Sequence, residues 1–181
     1  MKTEKRSIMV KEMVLMGVFS TFVMDLGYVF IKLTKIVEPS MQPYHLGRWL
    51  LSMLQGTFMH ADIGAVEAFG IEKPVALIAH YLTGIILVNA FLWLKKNTKV
   101  FSGSIFMGIL FGLVTVVFPW FVMYPAMGFG FLGLDGPGNS NNVLFGLLNH
   151  SFFGIGITFW MWWVRKFTVK SHSLKSVRPI A

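Results

Sequence analysis

Residues 74–93 read PVALIAHYLTGIILVNAFLW, a run without one Asp, Glu, Lys or Arg. As a helix it has the length that a bilayer core demands, about 20 residues. Pro74 opens it, where a missing N–H is harmless. Three other stretches share its character. Met13 to Ile31 carries a single charge, Asp25. Phe101 to Tyr124 is interrupted near its end by Pro119 and closed by Pro125. Val143 to Val164 ends in Phe159, Trp160, Trp162 and Trp163, rings suited to the headgroup level. Segments 13–31, 74–93, 101–124 and 143–164 therefore read as transmembrane helices. The expected fold is an all-α integral membrane protein, a four-helix transmembrane bundle forming a single membrane domain over residues 1–181.

The composition of the 181-residue chain agrees: hydrophobic residues make up 55%, charged residues 13%, and mean hydropathy is +0.65. A soluble domain of this size cannot bury so much apolar surface, and a disordered chain is far more polar. With no cysteine, disulfide scaffolds, thiolate metal sites and cysteine nucleophiles are excluded. The first apolar stretch is longer than a signal-peptide core and no A-x-A site follows it, so a retained helix is expected.

The net charge of +8 is a topology signal. Lys2, Lys5, Arg6 and Lys11 precede the first span, Lys95, Lys96 and Lys99 join the second to the third, and Arg165, Lys166, Lys170, Lys175 and Arg178 follow the fourth. These are 12 of the 16 basic residues. By the positive-inside rule both termini, with the tail 165–181, are expected in the cytoplasm. The expected partners are the bilayer and its anionic headgroups on that face, and no nucleic acid. A second copy of the chain and a membrane-complex subunit are open as protein partners.

Two connections lie on the other side. In the first, residues 46–59 are apolar and aromatic but too short to span, which suggests a capping or re-entrant helix. The second, Pro125 to Asn142, holds five glycines and two prolines and reads as a compact loop with no phosphate-cradling motif.

Ionisable groups inside a membrane are costly, so each asks for a reason. Asp25, His80 and His150 lie at about one depth, roughly 9 to 11 Å below the outer surface at ~1.5 Å per residue. Small and hydroxylated residues share their faces: Gly17 and Thr21 with Asp25, Thr83 and Gly84 with His80, and Gly146, Gly154 and Thr158 with His150. The third span offers Gly108, Gly112, Thr115 and Pro119. Such stripes let membrane helices approach closely, so the polar trio is expected to point into the bundle.

Three readings of the trio stay open. It can be structural, the groups satisfying one another and fixing register. It can hold a metal or haem, with His80, His150 and His60 as candidate ligands. It can be a proton or solute pathway, with the Pro119 break exposing a backbone carbonyl. Arg48, His60, Asp62 and Asn149 are additional candidates. No catalytic residue and no cofactor is specified, and hydrolytic signatures are absent. A non-enzymatic membrane protein that transports or senses a small solute, proton or metal leads. A His-ligated metal or haem enzyme or electron carrier, and an accessory or assembly subunit, are the alternatives.

Gly47-Arg48-Trp49, His60, His80-Tyr81 with Gly84, Thr115-Val116 with Pro119, Pro125 with Met127-Gly128 and Gly130, and His150 with Phe153-Gly154 and Gly156 occur in a telling order. In this the chain, over about residues 12 to 164, resembles a bacterial inner-membrane family known as domain of unknown function 2938. That pattern continues after Gly130 with small residues and an arginine, whereas residues 131–138 here read FLGLDGPG. The resemblance implies a polytopic bacterial membrane protein and brings no established activity with it.

Overall fold

The computed structural model describes residues 2–38, 41–98 and 105–175. They form five helices: α1 (Lys2–Thr34), α2 (Tyr44–Leu54), α3 (Glu72–Asn97), α4 (Ile105–Thr115) and α5 (Ser140–Lys175). No strand occurs among the described residues. A π-helical turn, Pro119–Met123, carries the chain on from α4 into a last helical turn at Tyr124–Ala126. Four segments are long and apolar enough to cross a membrane: Val10–Thr34, Glu72–Asn97, Phe106–Ala126 and Ser140–Lys166.

These bounds extend the expected ones at several ends. The second span starts at Glu72 rather than Pro74, and the fourth runs from Ser140 beyond Val164, with the basic residues up to Lys175 still helical. Charge at a helix end does not break a helix, so a hydropathy window stops before the backbone does. Residues 101–104 of the expected third span and 176–181 of the tail lie outside the described residues. The capping helix is shorter than 46–59. It ends at Leu54 because Gly56 takes a left-handed φ of +86° and Thr57 N–H turns back to the Ser52 carbonyl, 2.9 Å away.

α1 and α5 form the central antiparallel pair, α3 packs on α1, α4 packs on α5, and α2 lies on α3. Missing side chains bring the axes together. A Cβ at Gly17 would lie 2.6 Å from the Ile85 Cα, one at Gly156 would lie 2.7 Å from the Ser20 Cα, and one at Gly84 would overlap the Thr21 hydroxyl. Toward the basic end, Met16, Val88, Phe91, Phe111, Phe153 and Ile157 from all four spans make one core, with Phe91 and Phe111 edge to face at 5.2 Å. At the opposite end Trp49, Ile63, Tyr124, Met127 and Phe129 make a second core beneath α2. Large apolar side chains face outward along the spans, among them Phe22, Leu26, Ile78, Ile86, Phe106 and Trp162. That distribution suits hydrocarbon and would be unstable in water.

Candidate functional site

Asp25 sits one turn beyond Thr21 on the face of α1 that meets α3. Its two oxygens are taken by consecutive residues of that helix. His80 Nε2 lies 3.0 Å from Oδ1, and the Tyr81 hydroxyl donates to Oδ2 at 2.8 Å. The side chains of His80 and Asp25 keep 32% and 40% of their surface accessible, so the pair is only partly covered by the neighbouring helices. Tyr81 was not among the expected site residues. Its position beside His80 in an otherwise apolar span was the available signal.

His150 belongs to the other half of the bundle. Its Nδ1 lies 2.7 Å from the Thr115 Oγ1, and the Thr115 hydroxyl also lies 2.6 Å from the Gly112 carbonyl. The structure thus joins Asp25 to His80 directly, while His150 is bonded across the α4–α5 contact. On α5 the Asn149 Oδ1 is buried without a partner, as is the indole N–H of Trp120, whose ring abuts Gly146.

The other candidates lie in the cap above. His60 donates its backbone N–H to the Ala126 carbonyl at 2.8 Å, and its Nε2 is buried without a partner. Asp62 caps the short turn Ile63–Ala65 by accepting from Gly64 N–H at 2.7 Å. Among the described residues no three His, Asp or Glu side chains gather as a metal would require, so His80, His150 and His60 do not form a ligand set.

Arg48 proves to be the anchor of the cap. It is 7% exposed and makes a two-pronged pair with Glu72, Nε to Oε2 at 2.8 Å and Nη2 to Oε1 at 3.0 Å. Its remaining terminal nitrogen reaches the carbonyls of Ile63, Gly64 and Val66 at 3.0 to 3.3 Å. Planar, five-donor guanidinium geometry is what permits this. The Glu72 carboxylate beside it holds the guanidinium above its ordinary value. Gly47 lets α2 approach so closely that a Cβ there would overlap the Glu72 carbonyl.

His45, also in α2, is 7% exposed and lies against Tyr44 and Phe129, with its Nδ1 unpartnered. Burial, and then the charge of Arg48, holds its pKa below the ordinary 6.5. A folded state that favours the neutral ring has that contribution in full above pH 6.5 and loses it as pH falls through the lower folded value. The expected result is a melting temperature that declines on acidification through that window in wild type and declines less in His45→Phe. Parallel curves for the two proteins would show that His45 is not the sensor.

Neither curated proteins nor solved structures return a match to this chain. A family model described as protein of unknown function DUF2938 matches residues 14–177, a stretch that takes in all four spans, the Asp25–His80–Tyr81 cluster and the Arg48 anchor, and the chain belongs to that family.

Proposed function

We propose that this is a multi-pass, non-enzymatic membrane protein that takes up and releases a proton at Asp25, His80 and Tyr81 in transporting or sensing a small solute. The observation that carries the reading is the carboxylate with both oxygens engaged, at 3.0 Å by imidazole and 2.8 Å by phenol, within helices apolar enough to cross a membrane. With one proton aboard, the Asp25–His80 pair is neutral overall. Without it, one negative charge is left among hydrocarbon, which is costly. Asp25 and His80 share that proton, and a solute bound beside them would change how tightly it is held. Its incomplete cover leaves the pair within reach of a proton donor or a solute.

In this reading residues 1–181 act as one membrane domain of a bacterial inner membrane, with both termini cytoplasmic. The basic arm, the basic residues 95–99 and the tail 165–181 rest on anionic headgroups. Support comes from the one-sided distribution of Lys and Arg.

The test is proton uptake by the reconstituted full chain, followed with a pH dye trapped in liposomes under an imposed gradient. Asp25→Asn preserves shape and removes the charge, and is expected to slow uptake about tenfold or more. His80→Gln should act in the same direction. An Asp25→Asn protein that melts normally and takes up protons at the wild-type rate would overturn the reading.

A further inference from the structure

The α4–α5 contact carries a second piece of chemistry. Pro119 has no N–H, and α4 gives way to a turn at its end. There Val116 N–H bonds to the Leu113 carbonyl at 3.3 Å. The Gly112 carbonyl instead meets the Thr115 hydroxyl at 2.6 Å. A hydroxyl has one proton, and a carbonyl can only accept, so the Thr115 proton is committed to Gly112. His150 Nδ1, 2.7 Å from the same oxygen, must then be the donor. A neutral imidazole has a single N–H. The proton therefore sits on Nδ1, and the lone pair is left on Nε2.

His80 is held the opposite way. Its Nε2 faces the Asp25 carboxylate and donates, so its Nδ1 is the bare nitrogen. The two rings, from α3 and α5, thus each donate from one nitrogen and leave the other as an acceptor.

We propose that His150 is a second proton acceptor, and that Thr115 is the positioning residue that fixes its tautomer and leaves Nε2 as the basic atom. The assignment of the acceptor role rests on the proton-handling reading of Asp25 and His80; the tautomer does not. One proton added at Nε2 gives an imidazolium that still donates from Nδ1 to Thr115, so loading breaks no existing bond. On release the same proton leaves from Nε2, and the ring returns to its starting tautomer. The ionisable groups toward its end of the spans are Asp25 and Tyr28 of α1, His80 and Tyr81 of α3 and Tyr124 beyond α4, with Lys32, Glu72 and Lys73 at the helix ends; Lys11, Glu12, Lys95, Lys96, Arg165 and Lys166 stand toward the other end.

The experiment is nitrogen NMR of the full chain in nanodiscs with ¹⁵N-labelled histidine, His150 being assigned by its loss in His150→Asn. In wild type at mildly alkaline pH, Nδ1 is expected to carry the proton and Nε2 to be bare. Thr115→Val removes the acceptor, and the proton should move to Nε2, the site that free imidazole side chains prefer; Thr115→Ser should restore Nδ1. On acidification the Nε2 signal should shift to the protonated position while the protein stays folded. A wild-type ring protonated on Nε2, or ring signals unchanged in Thr115→Val, overturns the tautomer assignment. A ring that stays neutral until the protein unfolds overturns the acceptor role. Failure of the Asp25→Asn uptake test with the expected spectra would sink the proton-handling function and leave the tautomer standing.

Discussion

Arg48→Ala is expected to lower the stability of the protein by about 3–5 kcal/mol, because it strands a carboxylate in a buried site. Glu72 is 6% exposed and has Arg48 as its only ion-pair partner among the described residues, with one further bond from the Phe69 N–H at 3.2 Å. Losing the guanidinium also removes the donor for three loop carbonyls, at about 1 kcal/mol each when buried. For a chain of this size the melting temperature in mild detergent should fall by about 10 °C. A double variant, Arg48→Met with Glu72→Leu, separates the two contributions. It relieves the stranded charge but leaves the Ile63, Gly64 and Val66 carbonyls unbonded. It should therefore recover part of the loss and not all of it. Arg48→Lys should recover less, since an ammonium cannot bridge a carboxylate and a loop at once. Melting of Arg48→Ala within about 2 °C of wild type would show that α2 is held to α3 by apolar packing alone.

The contrast between Arg48 and Asp25 marks how much of this protein is legible in its sequence. The four long apolar helices are legible because the length and hydropathy needed to cross a bilayer are properties of contiguous residues, and the side-chain stripes follow from helical periodicity alone. Gly17, Thr21 and Asp25 stand on one face of α1 whatever lies opposite. That the opposite face is Gly84, Tyr81 and His80 depends on the register of α3 against α1, which close approach at Gly17 and Gly84 decides. Tyr81 is hard to see for another reason. A phenol in an apolar run reads as an aromatic with a wet end, and only a carboxylate facing it turns the hydroxyl into a ligand. The Arg48–Glu72 pair joins a loop helix to the first residue of a span across 24 positions, with no periodic relation between them. In the sequence Glu72 is one acid among several near basic residues, and nothing marks it as the partner of Arg48. The end of α2 is closer to legible: Gly56 is a residue suited to end a helix, while the apolar Phe58 and Met59 beyond it disguise the boundary.

Gly112→Val is expected to cost on the order of 3 kcal/mol and to spoil the candidate site along with the fold. A Cβ on Gly112 would overlap the His150 carbonyl and would lie 2.8 Å from the Gly154 nitrogen and 3.0 Å from its Cα. These are backbone atoms of α5, so no rotamer change makes room. From the facing side, a Cβ on Gly154 would sit 2.7 Å from the Ile109 Cα, so the contact is closed on both helices. The only relief is separation of α4 from α5, and that separation stretches the 2.7 Å bond between Thr115 and His150. The variant should therefore melt lower and also lose the Nδ1-protonated signal of His150, two readouts with one cause. Gly70→Ala supplies the control, as a Cβ there meets nothing within 4 Å, and its melting should stay within about 0.5 kcal/mol of wild type. Helix propensity cannot account for a loss at position 112, since valine suits a helix better than glycine does. If Gly112→Val melts with wild type, α4 and α5 have room to spare, and the hydrogen bond that sets the His150 tautomer has no rigid frame behind it.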